Sequence, residues 1–260
     1  MTTVHEIERA MFLWAPKETA MRGDNVGHLV GEPHKEVSKV LVALDITPAV
    51  VREAVFGGYD LIVSHHPVMN SNWTPVQSVR SDDQQGSMLI DMIRGNLSVI
   101  CMHTNLDAAV GGVNDVLASC LNLRNIALVE GGEGIVRAGM LDSETPLQGF
   151  LQSVRSSLKA NGLRYVDGGK VVRRVAVGGG ACGEFFRAAA ADGCDTFVTS
   201  DVKYNQFLDA KELGINLIDA GHYPTEDCVC PAIVSYLQKQ FPDLIIEKSV
   251  SHREIIQYYI

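Results

Sequence analysis

The sequence predicts an α/β protein made of two similar α/β lobes that are related by a pseudo-twofold axis. Three observations lead to this fold class. Apolar runs of strand length alternate with helical patterns along most of the chain, which is typical of a parallel sheet covered by helices. One such run, residues 61–64, ends abruptly in two histidines and a proline. The last third of the chain also repeats the order of elements in the first third, which indicates an internal duplication.

The composition and net charge of the chain argue against some classes of function. The 260 residues are 46% hydrophobic and 20% charged, which is ordinary for a globular protein. The formal net charge is -9 and no long lysine and arginine cluster stands out, so nucleic acid and membrane surfaces are not expected as main partners. No apolar run approaches the roughly 20 residues that cross a bilayer, and the N-terminus lacks a signal-peptide pattern. We expect a cytoplasmic protein whose six cysteines are buried thiols, not disulfides or zinc ligands.

The first third of the chain opens with an amphipathic helix over residues 4–14. A turn-rich loop follows, and its Asp24 and Asn25 can cap, form the turn or bind a ligand. Residues 37–44 form an apolar run that predicts a strand, and a helix that ends near Phe56 comes after it. These elements begin a β-α-β unit, and such units imply a parallel sheet.

The next strand leads directly into the two adjacent histidines. Thr47 and Pro48 predict the N-cap and first residue of the intervening helix, and the strand over 61–64 completes the unit. Pro67 cannot donate to a sheet ladder, so this strand should stop near His66. At that end the backbone can turn so that both imidazoles face the carboxyl edge of the sheet, where open α/β sheets bind ligands.

A polar stretch over residues 68–81 follows, either a flap over the histidines or a mere insertion. Residues 87–94 predict a helix and residues 97–102 the next strand. That strand runs into His103 and, four residues later, Asp107. A further helix is expected to end near residue 121.

Three segments make up the predicted domain organisation, together one compact two-lobed unit. Residues 1–125 form the first lobe, residues 126–172 an intervening α/β segment, and residues 173–260 the second lobe. In the intervening segment, residues 135–141 predict a strand and Ser143 predicts the N-cap of a helix.

The second lobe has the same alternation of strands and helices. Thr225 predicts the N-cap of its last helix. The other expected elements are strands at 174–177, 196–200 and 215–218, and helices at 184–191 and 207–213.

The two lobes can be matched along the sequence. Residues 39–43 correspond to 174–178, and residues 54–64 correspond to 190–200 apart from a one-residue slip in the helix. The identities are few, but the order of elements is the same in both copies. A duplication of this kind places equivalent strand ends at equivalent positions in each lobe.

Equivalent polar segments follow the third strand of each copy. Residues His103–Asp107 and His222–Glu226 both read histidine-x-x-x-carboxylate, directly after a strand and at the start of a helix. A pseudo-twofold axis would bring the two segments to one crevice between the lobes. The position that matches His65 is Asp201, a further candidate for the rim of the site.

These positions predict a metal site. Histidine with carboxylate is the ligand set of Zn, Fe, Mn, Co or Ni, not of Ca or Mg alone. Six ligands are too many for one catalytic ion and suit two ions with a bridging carboxylate, which can hold a water-derived hydroxide as the nucleophile. The predicted ligands are His65, His66, His103, Asp107, His222 and Glu226.

Four motifs of the chain resemble the Ngg-interacting-factor-three-like family, whose members are also known as type 2 GTP cyclohydrolase I homologues. The resemblance implies two similar lobes, a dinuclear metal site at their interface and a ring-shaped homohexamer, in the compact form without an inserted domain. The motifs are Asp24-Asn-Val-Gly27, Ser64-His-His-Pro67, the segment from His103-Thr-Asn-Leu-Asp107 to Val113-Asn-Asp115, and Gly221-His-Tyr-Pro-Thr-Glu226.

Carried over motif by motif, the resemblance implies the same six ligands, with Glu226 as the bridge. It also singles out Asn205, which stands where many relatives have a histidine. The candidates for a catalytic role are therefore Asp201, Asn205 and Glu226, and that departure at Asn205 puts the activity in question.

Several functions stay open at this point. The first is a metal-dependent hydrolase acting on a small substrate, such as GTP, through a metal-bridged hydroxide. The second is a metal-stabilised oligomeric scaffold that engages a protein partner, and a third is metal storage or delivery.

No G-x-x-x-x-G-K-[ST] phosphate loop is present. Residues Gly178–Gly180 either cradle a phosphate through their backbone N–H groups or form a tight turn.

Overall fold

The computed structural model describes residues 1–69 and 76–259 of the chain, and it has a mixed α/β fold. Strands β1 to β11 are Gly27–Val30, Lys39–Ala43, Leu61–Ser64, Ser98–Cys101, Arg124–Leu128, Arg137–Thr145, Arg164–Val166, Val172–Val177, Thr196–Thr199, Asn216–Asp219 and Ile245–Lys248. Helices α1 to α10 are Val4–Trp14, Pro48–Phe56, Gln84–Arg94, Thr104–Ala108, Val113–Cys120, Leu147–Ser157, Phe186–Ala191, Tyr204–Leu213, His222–Glu226 and Val229–Gln240.

The chain divides into two compact units, and this division differs from the predicted one. The first unit contains residues 1–110 and 230–253, and the second contains residues 111–229 and 254–260. Residues 126–172, expected as a separate segment, belong to the second unit because β5 and β6 extend the sheet of β8. Residues 230–253, expected in the second lobe, belong to the first unit because β11 pairs in parallel with β2.

The first unit is built on a five-stranded sheet in the order β1-β4-β3-β2-β11. Strands β2, β3 and β4 are parallel neighbours, as the β-α-β pattern predicts. Helix α2 begins as expected, with Thr47 as N-cap accepting a hydrogen bond from the Val50 amide at 3.3 Å and Pro48 at the first position. Apolar side chains of the sheet and of α2 and α3, such as Leu41 and Ile62, form the core. Burying each one stabilises the unit by about 1.5–3 kcal/mol.

The second unit is built on a six-stranded sheet in the order β5-β6-β8-β9-β10-β7. Strands β8, β9 and β10 are parallel, whereas β5, β6 and β7 join antiparallel. Each unit thus contains three successive parallel strands with helical crossovers, which is the repeat expected from the sequence. Parallel strands end at the same sheet edge, so the segments that follow the strands of one unit lie together.

Several local expectations were wrong. Ser143 does not cap a helix, because β6 continues to Thr145 and Pro146 stands at the N-cap of α6. Thr225 lies inside α9 and does not cap the final helix, which begins at Val229. Strands β1, β5 and β11 were not predicted from the sequence.

The loop over residues 68–81 and the cysteines were the subject of two further expectations. Residues 70–75, which are part of the proposed flap over residues 68–81, lie outside the described part of the chain. Four of the six cysteines are buried, as predicted, whereas Cys120 and Cys228 are half-buried. Among the described helices, none combines the length and the apolar character needed to cross a membrane.

Candidate metal centre

The first unit gathers three of the predicted histidines. His65 and His66 follow β3, and His103 follows the neighbouring strand β4. Their ring centroids lie 5.0 to 5.6 Å apart, and one ring nitrogen from each lies within 4.8 Å of the others. One metal ion can therefore bind to all three imidazoles.

The end of β3 explains how two adjacent residues reach one cluster. The strand ends at Ser64, and the Ser64 hydroxyl donates a hydrogen bond to the carbonyl oxygen of His66 at 2.9 Å. This contact closes a turn, so the alternation of side chains along a strand no longer applies. His65 is fully buried and His66 half-buried, yet both rings belong to the cluster, as the sequence predicts.

All three imidazoles use the same nitrogen for an oxygen partner. The Nδ1 atom of His65 lies 2.8 Å from the carbonyl oxygen of Met102. In His66 and His103, Nδ1 lies 2.7 Å and 2.9 Å from carboxylate oxygens. A proton held at Nδ1 leaves Nε2 as the nitrogen that a metal ion would bind, and such partners fix the orientation of histidine ligands in metal proteins.

Two aspartates, Asp24 and Asp45, supply those carboxylates, and neither was predicted to do so. Asp24 bonds to His103, and to the amide and hydroxyl of Thr104. Burial alone would raise the pKa of Asp24, but the hydrogen bonds from His103 and Thr104 hold it well below its usual range. The signal for Asp24 was present, since it opens one of the four motifs, but a turn residue has the same appearance in sequence.

Asp45 connects His66 to a residue near the C-terminus. Its Oδ1 atom lies 2.7 Å from His66 Nδ1, and its Oδ2 atom lies 2.9 Å from His252 Nε2. Burial would raise the pKa of Asp45, but the hydrogen bonds to His252 and His66 keep it well below the ordinary value. Asp45 is therefore a carboxylate held in place on both sides, and it fixes the ring of His66.

Asp107 lies beside the three imidazoles, and His65, His66, His103 and Asp107 form the first candidate ligand set. Asp107 lies in α4, one helical turn after His103, and its amide bonds to the His103 carbonyl oxygen at 3.1 Å. Asp107 Oδ1 lies 3.7 Å from His65 Nε2, and the residue is buried. The histidine-x-x-x-carboxylate spacing thus places both groups on one side of a helical turn, as expected.

The second unit contains the equivalent pair, His222 and Glu226, which form the second candidate ligand set. His222 and Glu226 begin and end α9, and His222 Nε2 lies 3.0 Å from Glu226 Oε2. His222 Nδ1 lies 2.6 Å from Asp201 Oδ2. Burial would lower the pKa of His222, but the bonds to Asp201 and Glu226 outweigh it and raise the pKa to about 11. The fourth histidine therefore resembles the other three, with Nδ1 bonded to an oxygen, here of Asp201, and Nε2 near Glu226.

The other two candidates for catalysis have different surroundings. Asp201, predicted at the rim of the site, holds His222 and has a φ of 52°, in the left-handed region that non-glycine residues rarely adopt. Such backbone strain is common at functional positions. Asn205 is exposed on the first turn of α8.

The donor chemistry of both sets fits a transition metal. Imidazole nitrogen with carboxylate oxygen suits Zn, Fe, Mn, Co and Ni, whereas Ca and Mg prefer oxygen alone. Each histidine is oriented by a hydrogen-bonded oxygen. The two carboxylates that would bind metal, Asp107 and Glu226, are buried. These groups can bind a metal ion as they stand.

The chain is similar to known proteins over most of its length. Residues 2–255 match the family described as Duf34/NIF3 (NGG1p interacting factor 3). A protein named GTP cyclohydrolase 1 type 2 homolog from Clostridium perfringens is 33% identical over 209 residues, covering 78% of this chain and 79% of that protein. One of the same name from Nostoc is 36% identical over 213 residues, covering 78% of each. The crystal structure of Staphylococcus aureus protein SA1388 has a TM-score of 0.90 and 27% identity, covering 99% of both chains. This chain belongs to the Duf34/NIF3 family.

Proposed function

We propose that this protein is a metal-dependent hydrolase that holds two divalent transition-metal ions through both ligand sets and acts on a small substrate. The observation that carries the proposal is the common orientation of the four histidines, each with Nδ1 bonded to an oxygen. A histidine that only fills space needs no particular nitrogen engaged. The same nitrogen engaged four times is the arrangement that metal ligands require.

The protein residues have separate tasks in this proposal. When bound, the two ions supply Lewis acidity and make water a nucleophile at neutral pH. The two ligand sets would hold the ions, and Glu226 is the carboxylate that the second set would contribute. Asp24, Asp45 and Asp201 keep the imidazoles in the orientation that the ions need.

The substrate class is proposed from the relatives. Two of them carry the name GTP cyclohydrolase 1 type 2 homolog, and a purine nucleotide is therefore the first substrate to test. Hydrolysis at C8 of the purine ring would release formate, whereas hydrolysis of the phosphate chain would release phosphate. The two products can be distinguished in one assay.

The test compares metal-loaded proteins on a panel of nucleotides. Metal-free protein is loaded separately with Zn, Mn, Fe or Co, and formate and phosphate are measured. We choose His66→Ala as the site variant because Asp45 keeps its second partner, His252, when His66 is removed. His34→Ala, which removes an exposed histidine outside the ligand sets, is the matched control.

We expect turnover in the wild type and in the His34→Ala protein, and loss of at least about 100-fold in the His66→Ala protein. Absence of turnover with every metal and nucleotide would contradict the hydrolase proposal. If chelation then still lowered the melting temperature, the metal-stabilised scaffold would be the better account.

A homo-oligomer is part of the same proposal. The described C-terminal residues support it, because Ile255 is 87% exposed and Tyr259 is fully exposed in the single chain. Exposed apolar side chains clustered in one segment are typical of contact surfaces. Light scattering on the purified protein measures the mass directly: a hexamer is expected, and a monomer would contradict this part of the proposal.

A further inference from the structure

The loop after β8, Gly178–Gly180, has no backbone donors to offer a phosphate. The Gly178 amide donates to the Val198 carbonyl oxygen at 3.0 Å. The Gly179 amide donates to Asn114 Oδ1 at 2.7 Å, and the Gly180 amide to Thr225 Oγ1 at 3.0 Å. These three glycines therefore do not form a phosphate-binding loop. Two of their amides instead hydrogen-bond to side chains of α5 and α9.

Gly180 is the residue of this loop that lies against the second ligand set. Its φ is 63°, which favours glycine. A Cβ atom built on Gly180 would lie 2.1 Å from Glu226 Oε1 and 3.1 Å from His222 Nε2. The carboxylate and the imidazole therefore occupy the space that a side chain would fill. Close approach of this kind requires glycine at the position.

We propose that Gly180 is a positioning residue for the metal ligands, and that its bare Cα forms the wall against which Glu226 and His222 are held. The inference rests on the proposed metal site and extends it to a residue that binds no metal itself. The wall is rigid because the Gly180 carbonyl oxygen accepts hydrogen bonds from the Ser200 amide and the Thr199 hydroxyl, at 3.0 and 3.1 Å. Its amide is fixed by Thr225, the residue that precedes Glu226.

The geometry separates this role from a merely structural one. The atom that a methyl group would strike is the end of the Glu226 side chain, which can rotate away without unfolding the backbone. A displacement of roughly 1 Å exceeds the tolerance of about 0.2 Å for metal–ligand distances. Substitution by alanine should therefore spare the fold and damage metal binding.

The test compares two glycine-to-alanine substitutions in the second unit. Gly193 also has a left-handed backbone, with φ of 80°, but no atom lies within 4 Å of the Cβ position. Gly180→Ala and Gly193→Ala thus share the backbone penalty, and only the first meets the ligands. Each metal-free protein is titrated with Zn²⁺ against a chromophoric chelator, and Co²⁺ absorption reports the geometry of the site.

We expect Gly180→Ala to lower the Zn²⁺ affinity about 100-fold and to alter the Co²⁺ spectrum, while Gly193→Ala changes the affinity less than about twofold. Both variants should melt a few degrees below the wild type. In a Glu226→Ala background, Gly180→Ala should have a much smaller effect on affinity, because the 2.1 Å contact with Glu226 Oε1 is gone and only the 3.1 Å approach to His222 Nε2 remains.

Two contrary outcomes are distinguishable. If the wild type binds Zn²⁺ and Gly180→Ala binds it equally well, the positioning role is wrong and the proposed metal site stands. If the wild type itself fails to bind, both the metal site and the role of Gly180 are wrong. Loss of affinity in Gly180→Ala that persists with equal size in the Glu226→Ala background would also overturn the inference, because the effect would not act through Glu226.

Discussion

Replacing Asp201 by asparagine tests whether carboxylates orient the histidine ligands. Asp201 Oδ2 lies 2.6 Å from His222 Nδ1, the distance of a charge-assisted hydrogen bond. Asparagine keeps the shape of the side chain and tolerates the left-handed backbone at this position, where φ is 52°. The substitution therefore removes the charge of the partner and leaves the local structure in place.

The magnitude follows from the strength and exposure of this bond. Charge-assisted hydrogen bonds are about twice as strong as neutral ones, and bonds to charged groups contribute about 1.5–3 kcal/mol. The Asp201 side chain is 52% exposed, so solvent screening reduces its contribution towards the lower end. A loss of about 1.4 kcal/mol corresponds to tenfold weaker binding. We expect Asp201→Asn to weaken Zn²⁺ binding at the His222 set about tenfold.

The assay is Zn²⁺ titration of the metal-free protein, with Asp209→Asn as the matched control. Asp209 is also an exposed aspartate in an ion pair, 2.8 Å from Arg187, in the same unit. The control should bind Zn²⁺ like the wild type. Equal affinities of Asp201→Asn and wild type, within about twofold, would refute the idea that Asp201 orients a ligand.

Three further predictions concern pH, stability and metal removal. Zn²⁺ affinity at the His222 set should rise about tenfold per pH unit between pH 6 and 8, because the pKa of His222 is raised to about 11 and the ion must displace its proton; calorimetry in two buffers should show about one proton released, and a flat profile would contradict this. Asp115→Ala should cost about 3 kcal/mol in urea unfolding, because the buried Arg137 guanidinium loses a carboxylate at 2.6 Å; Arg137→Met in addition should recover most of the loss, and a cost under about 0.5 kcal/mol would show the pair to be dispensable. Chelation should lower the melting temperature by about 5–10 °C, restored by Zn²⁺, since an ion bound only by the folded state stabilises it; a melting temperature indifferent to chelator would mean that no bound ion stabilises the fold.

The β-α-β pattern predicted the central strands because local signals determine them. Pro67 ends β3 close to His65, and Thr47 with Pro48 starts α2, so the residues after each strand could be assigned to the sheet edge. Histidine-x-x-x-carboxylate spacing then predicted two side chains on one helical turn, and both α4 and α9 have that geometry. Spacing of this kind is a local property and can be read from the sequence.

The features that were not predicted depend mostly on contacts between segments that are distant in the sequence. Strand β11 pairs with β2 across some two hundred residues, and no local pattern reveals that partner. Strand β5 is mostly exposed and lacks a hydrophobic alternation. Asp24 reaches His103 from 79 residues away, and an aspartate in a turn has the same sequence appearance as a cap. The role of Gly180 likewise depends on the position of Glu226, which sequence spacing does not give.

The central claim of the proposal is that the six candidate ligands hold two metal ions and that Glu226 is needed to hold them. Elemental analysis of protein purified without a histidine tag, wild type beside Glu226→Ala, tests it most directly. Two ions per chain in the wild type, falling sharply in the variant, are the predicted result. One ion or none in both proteins would contradict the claim.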